Sequence, residues 1–217
     1  KKMICGINTN QRQEIGWLHS MTKKTSWKDT SPMYQEFKTK HNLSTEQVDD
    51  ILNRISWVES KHANVQQDNG GPGQGYYQIE DGSGSNTFQT TLKQYRNIMK
   101  DKGLKVPNWV NNVKHDDPKL LSAEQQSELA LAGIYQSEGS DERIEAFKDA
   151  SNSSVLNQDV FLRDVWINDW WKGAQKNQLE KEIQWDREME DYNNRGKTAS
   201  DLVMDKMILS EDPLGMA

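Results

Sequence analysis

Residues 43–85 read LSTEQVDDILNRISWVESKHANVQQDNGGPGQGYYQIEDGSGS, and the fold turns on how this stretch divides. Ser44 followed by Gln47 is a capping box, and Leu43 with Val48 forms the matching hydrophobic staple. Val48, Ile51, Leu52, Ile55 and Val58 then recur at helical spacing, which predicts a helix from about Thr45 to Lys61. From Gln66 to Ser85 the character changes. Two glycine-rich turns bracket Tyr76-Tyr77-Gln78-Ile79-Glu80, whose aromatic and β-branched residues predict a short strand or hairpin arm. Too few residues are available for a larger sheet, so the segment reads as a β-loop inserted in a helical domain.

Helices are predicted on both sides. Upstream, Trp17, Leu18, Met21 and Trp27 fit a short helix, and Ser31-Pro32 opens another before Met33, Tyr34 and Phe37. Residues 1–42 therefore read as a segment wrapped on the domain, with a functional arm as the alternative. Downstream, Phe88, Leu92, Tyr95 and Met99 share a face after a cap at Asn86. Ser122 and Gln125 make a second capping box, opening a helix that is apolar or small on every side from Leu129 to Ile134 and so is buried all round. Ser140 caps a helix with Ile144 and Phe147, and a Trp-rich helix from Asp159 closes at Gly173. Beyond it, Glu/Lys alternation with sparse apolar residues predicts a mostly solvated helix. The expected division is thus 1–42, 43–173 as the domain proper, and 174–217 as a charged helical extension. The fold class is α+β, mainly α.

Composition narrows the function. The 217 residues carry 27 Lys+Arg against 33 Asp+Glu, a formal net charge of -6. Without surplus cations to displace counterions, nucleic acid is not an expected partner. Adsorption to anionic membranes is disfavoured for the same reason, and no apolar run reaches the ~18 residues of a membrane span. One cysteine, Cys5, excludes an intrachain disulfide framework and a Cys-based zinc cluster. His19, His41, His62 and His115 lack paired ligand spacing, so no metal is expected. Neither a P-loop nor a nucleophile elbow is present, and no organic cofactor is implied. The chain opens at Lys1 without a basic-apolar leader, which suggests a processed or excised piece of a longer polypeptide.

The residue that demands explanation is Glu59. It lies four positions after Ile55 and seven after Leu52, so a carboxyl shares the stripe that this helix buries. Desolvation disfavours its charged form, and so does its place at the helix C-terminus. A carboxyl kept protonated near neutrality is what a general acid needs to protonate a glycosidic oxygen. The alternative is a frayed helix end whose Glu59 points to water or pairs with Lys61 or His62. The next segment adds weight to the first reading. Glycines permit close backbone approach to a ligand, and Tyr76 and Tyr77 offer flat apolar faces with hydroxyl ends. An ordinary surface hairpin is the alternative there.

Ser56-Trp57-Val58-Glu59-Ser60, then a Gly-rich turn, then Gly75-Tyr76-Tyr77-Gln78, resembles the lysozyme-like lytic transglycosylases. In that family a helix ends in Glu-Ser and a Gly-x-x-Gln motif follows in the β-loop. The likeness spans roughly Leu43 to Gly173. The buried helix at 122–137 and the segment Val165-Trp166-Ile167-Asn168-Asp169-Trp170-Trp171-Lys172-Gly173 resemble, more loosely, parts of bacteriophage members of the group. The resemblance implies a lysozyme-like fold, with a small β-hairpin lobe beside a helical lobe. It implies cleavage of the β-1,4 bond between N-acetylmuramic acid and N-acetylglucosamine in bacterial peptidoglycan, with Glu59 as general acid and base. Gly75 and Gln78 would shape the β-side of a cleft, Ser60 would hold Glu59 or touch a sugar, and Tyr76, Tyr77 and Tyr135 would be aromatic contacts. The setting implied is a phage virion, as a tail or internal protein acting on the wall in the bacterial periplasm. Other virion proteins would be bound through the terminal segments.

Two chemistries stay open. A lytic transglycosylase uses one carboxyl and yields a 1,6-anhydro ring. A hydrolytic muramidase usually needs a second carboxylate, ~5–5.5 Å away for retention or ~6.5–9.5 Å for inversion. Candidates are Asp68, and Glu80 or Asp81 at the strand end; Asp68 also reads as plain turn chemistry. Two non-enzymatic readings compete: a structural phage protein that keeps the fold, and an acidic interaction module with no groove beside Glu59. Trp166 and Trp170 share a face and read as core packing, with stacking on a carbohydrate as the alternative. Trp57 faces away from Glu59 and anchors another segment.

Overall fold

A computed structural model describes residues 26–67, 71–80, 87–114, 116–151, 155–170 and 178–196. The described chain is mainly helical with one two-stranded antiparallel sheet. Asp68, Asp81, His115, Gly173 and the first 25 residues lie outside the described residues.

Helix α1 (Trp27–Thr30) is a single turn closed by a Ser26–Asp29 capping box. It leads to α2 (Pro32–Lys40), where Ser31 accepts from the Tyr34 amide and Pro32 starts the helix. Met33, Tyr34 and Phe37 of α2 are fully buried. At roughly 1.5–3 kcal/mol for each such side chain, this helix packs firmly into the core. Helix α3 (Thr45–Ser60) has the expected Ser44–Gln47 capping box and ends at Lys61 in the left-handed conformation, φ 55°. Its stripe Val48, Ile51, Leu52, Ile55 is buried.

The hairpin differs from its expected form. Strand β1 (Gly73–Gln74) pairs with β2 (Ile79–Glu80) in the register Gly73↔Glu80 and Gln74↔Ile79. Gly75–Gln78 form the turn between them, so Tyr76 and Tyr77 lie in the turn and not in a strand. Helix α4 (Thr87–Asp101) buries Phe88, Leu92, Tyr95 and Met99 as the spacing requires. After the short α5 (Asn108–Asn112) and a 3-10 turn at Pro118–Leu120 comes α6 (Ala123–Tyr135), opened by the Ser122–Gln125 box and buried from Gln126 to Ile134. It is the central helix, packed against α2, α3 and α4.

Helix α7 (Ser140–Ser151) pairs with α8 (Val155–Val165), which begins before the expected Asp159. At Trp166–Trp170 the chain widens to a π-helical turn. Helix α9 (Gln178–Asn194) carries the charged sequence and is largely exposed, yet it buries Trp185, Met189 and Tyr192 and packs on α3 and α8. The buried Arg54 of α3 ties the three together, with Asp50 at 3.0 Å and Asp159 of α8 as partners and Met189 of α9 against its guanidinium. Trp57 meets α9 edge-on at Tyr192, ring centres 5.7 Å apart.

Candidate functional site

Glu59 enters a cleft of about 610 Å³. Its walls are Gln78, Ile79 and Glu80 of the hairpin, Thr87, Thr90, Thr91 and Gln94 of α4, Gly133 of α6, Asp169 and Trp170 of the π turn, and Lys181 of α9, with Gln67 and Pro72 at the rim. The volume lies in the range of pockets that enclose small ligands, ~300–1,000 Å³.

The last turn of α3 places the half-buried Glu59 in the lining of this cleft. Burial pushes its carboxyl up to about 7, from an ordinary 4.5. Two groups pull the other way, the Trp166 indole and the Lys181 ammonium, while the Glu80 carboxylate adds to the rise. The Trp166 N–H donates to Glu59 Oε1 at 2.7 Å. A carboxyl in this setting is shared between its acid and carboxylate forms near neutral pH, which is the condition for giving and retaking a proton.

The hairpin is held against α3 and α6 by backbone clamps. Ser60 Oγ donates to Tyr76 O at 2.8 Å, so this serine binds the turn and not Glu59. Gly75 adopts φ +78°, and a Cβ there would overlap Gln126 Oε1. That oxygen accepts from the Tyr76 amide at 2.8 Å, while the Gln126 amide donates to Asn64 Oδ1 and Leu121 O. Gly75 is therefore fixed both by its backbone and by the buried amide beneath it. Gln78, at φ 50°, donates through Nε2 to Gly75 O and Val65 O, at 2.9 and 3.2 Å. These bonds brace the turn and leave the residue on the cleft wall.

The aromatic contacts are redistributed. Tyr77 turns into the core, 4% exposed, with its hydroxyl 2.9 Å from Ser127 Oγ; it does not line the cleft. Tyr76 packs its ring on the hydrophobic core and is likewise absent from the lining. Tyr135 lies at the end of α6 against α2, donating to Glu36 Oε1 at 2.9 Å under the Lys40 ammonium, away from the cleft. Trp170 is the aromatic wall instead. Its ring rests on Gly133, where an added Cβ would stand 3.0 Å from Cζ3, and its N–H donates to Tyr77 O at 3.2 Å.

Glu80 faces the same cleft as Glu59, whereas Asp68 is outside the described residues. Asp169 is 1% exposed and is held by the Arg143 guanidinium, with Nε at 3.0 Å. Sequence reasoning does not single out Asp169 or Lys181 for the site, and it offers sugar stacking only as the alternative for Trp166 and Trp170. The Trp pair read as packing and Lys181 as part of a solvated face. Among the described residues no group of His, Cys, Asp or Glu is placed to hold a metal ion, and no helix is long and apolar enough to cross a membrane. In comparisons with known proteins, no family model, no curated protein and no solved structure matches the chain.

Proposed function

We infer that this protein is a lysozyme-like lytic transglycosylase that cleaves the β-1,4 bond between N-acetylmuramic acid and N-acetylglucosamine in peptidoglycan. The observation that carries the inference is the Glu59 carboxyl, which lines a cleft of about 610 Å³ and is raised to about 7 by burial. The Glu-Ser helix end and the Gly-x-x-Gln turn, clamped together by Ser60 and Gln126, give the same reading from sequence.

Protonated Glu59 donates to the glycosidic oxygen as the C1–O4 bond breaks. The resulting carboxylate then accepts the proton of the C6 hydroxyl on the same muramoyl residue as that oxygen bonds to C1, closing a 1,6-anhydro ring. One carboxyl serves as acid and then as base, and no water is consumed. The setting proposed is a phage virion, where the enzyme would open the wall on entry and bind other virion proteins through its terminal segments. The loose likeness of residues 165–173 to phage enzymes supports that setting.

A second reading is favoured by one observation: Glu80 lines the same cleft. If its carboxylate activates water, the enzyme is a hydrolytic muramidase and its product a reducing sugar. Digestion of purified cell wall followed by mass spectrometry separates the two, anhydro-muramic ends against reducing ends. If neither forms and Glu59→Gln changes nothing, the protein is a structural particle component with an inactive cleft.

A further inference from the structure

Proton transfer by Glu59 leaves two of its neighbours without a role. Trp166, 1% exposed at the first position of the π turn, directs its indole N–H at Oε1. An indole nitrogen can only donate, so Oε1 accepts from it and, a carbonyl oxygen being the better acceptor, the contact favours the proton on Oε2. A donor of this kind binds a carboxylate about twice as strongly as a neutral acid. Lys181 comes from the first turns of α9 and lines the same cleft. Its Nζ stands 5.5 Å from the centre of the Trp166 ring and 3.4 Å from Gln184 Oε1. The same helix fixes Trp166 in place, because Trp185 packs against it with ring centres 5.5 Å apart and is itself fully buried.

We propose that Trp166 and Lys181 are positioning residues for Glu59, stabilising the carboxylate that remains after proton donation and favouring Oε2 for the proton. This rests on Glu59 being the acid. Helix α9, which the charge pattern sets apart as an extension, is then a working part of the site. Among the described residues, the other charged groups on the cleft wall are Glu80 of β2, which favours the protonated form, and Asp169 of the π turn, which is engaged by Arg143. Helix α4 presents Thr87, Thr90, Thr91 and Gln94, none of them charged. Burial and Glu80 thus hold the proton on, Trp166 and Lys181 make its departure tolerable, and the balance lets one group act twice.

The test follows the Glu59 side-chain carboxyl by carbon NMR across pH in the full chain, with Glu59→Gln assigning the signal. Trp166→Phe and Lys181→Met should each raise the titration midpoint by about one pH unit. Lys181→Arg should restore it. Trp57→Phe alters the packing of α9 on α3 at Tyr192 without touching Trp166, Lys181 or Glu59, and should leave the midpoint in place. In cell-wall digestion, kcat should fall in the first two variants with KM little changed, and the pH profile should move with the titration. Unmoved midpoints in both, or an equal shift in Trp57→Phe, would overturn the proposal and assign these residues to packing. Should Trp166→Phe fail to fold, the Lys181→Met and Lys181→Arg pair decides alone. Midpoints that move as stated while the wild-type chain releases no sugar ends would support the positioning and sink the transglycosylase reading; cleavage with unmoved midpoints does the reverse.

Discussion

Replacing Glu59 by glutamine should abolish cleavage and, above neutral pH, make the protein more stable. The sign follows from linkage. In the unfolded chain this carboxyl loses its proton near 4.5, whereas in the folded protein burial holds it to about 7. Between those values the folded state binds the extra proton, so stability falls as pH rises through the window. Each pH unit is worth ~1.4 kcal/mol, so by pH 8.5 burying the ionised form costs about 3 kcal/mol. Glutamine keeps the size and keeps an oxygen for the Trp166 N–H, yet never ionises. The variant should therefore exceed the wild type by about 3 kcal/mol at pH 8.5 and by almost nothing at pH 4. For a chain of this size that difference raises the melting temperature by ~6–12 °C at the higher pH. Urea and thermal unfolding of both proteins at the two pH values measure it, and groups that titrate alike in both cancel in the comparison. A stability difference that is the same at both pH values, or a glutamine variant that is weaker at pH 8.5, would refute the claim that Glu59 is desolvated.

Gly75→Ala forces a Cβ into the left-handed region and against Gln126 Oε1, so it should cost at least ~2 kcal/mol in urea denaturation; a neutral result would mean that the turn is not clamped there. Tyr77→Phe removes the bond to Ser127 inside the core and should lose ~1 kcal/mol of stability with KM for cell wall unchanged. A raised KM would return Tyr77 to the substrate contacts. Arg143→Met removes the guanidinium that holds the buried Asp169 carboxylate and should destabilise the protein by ~3 kcal/mol, which chemical unfolding at pH 7 will test.

The parts of this molecule that sequence makes legible are those governed by neighbours three or four residues away. The Ser44–Gln47 and Ser122–Gln125 boxes, the α3 stripe and the buried α6 all follow from local capping and from the 3.6-residue period. The same period places Glu59 on the buried stripe, because facing the core is a property of the helix alone. What touches Glu59 there is not. Its hydrogen-bond donor stands 107 residues away, in a π turn that no local propensity announces, and periodicity reports a face without naming its occupant. Tyr77 shows the same limit from the other side: its composition fits a cleft wall equally well, and the positive φ angles at Gly75 and Gln78 decide that it turns inward.

Helix α9 is the instructive case, since a signal was present and outweighed. Trp185, Met189 and Tyr192 stand at i, i+4 and i+7, the spacing of a buried stripe, but charge alternation over the rest of the helix, with Leu179 and Ile183 exposed at 69% and 59%, hid it. A narrow apolar stripe suffices when its residues are as large as tryptophan, for one such side chain buries as much surface as several small ones. That is why a helix of low overall hydrophobicity can dock firmly on α3, and why the cation it brings to the cleft is fixed by packing rather than by charge. The acidity of Glu59 is therefore set by two unequal kinds of information. The helix face on which it lies is written locally in α3, whereas the burial that raises it and the indole and ammonium that restrain it arrive only once the rest of the chain has folded around that face.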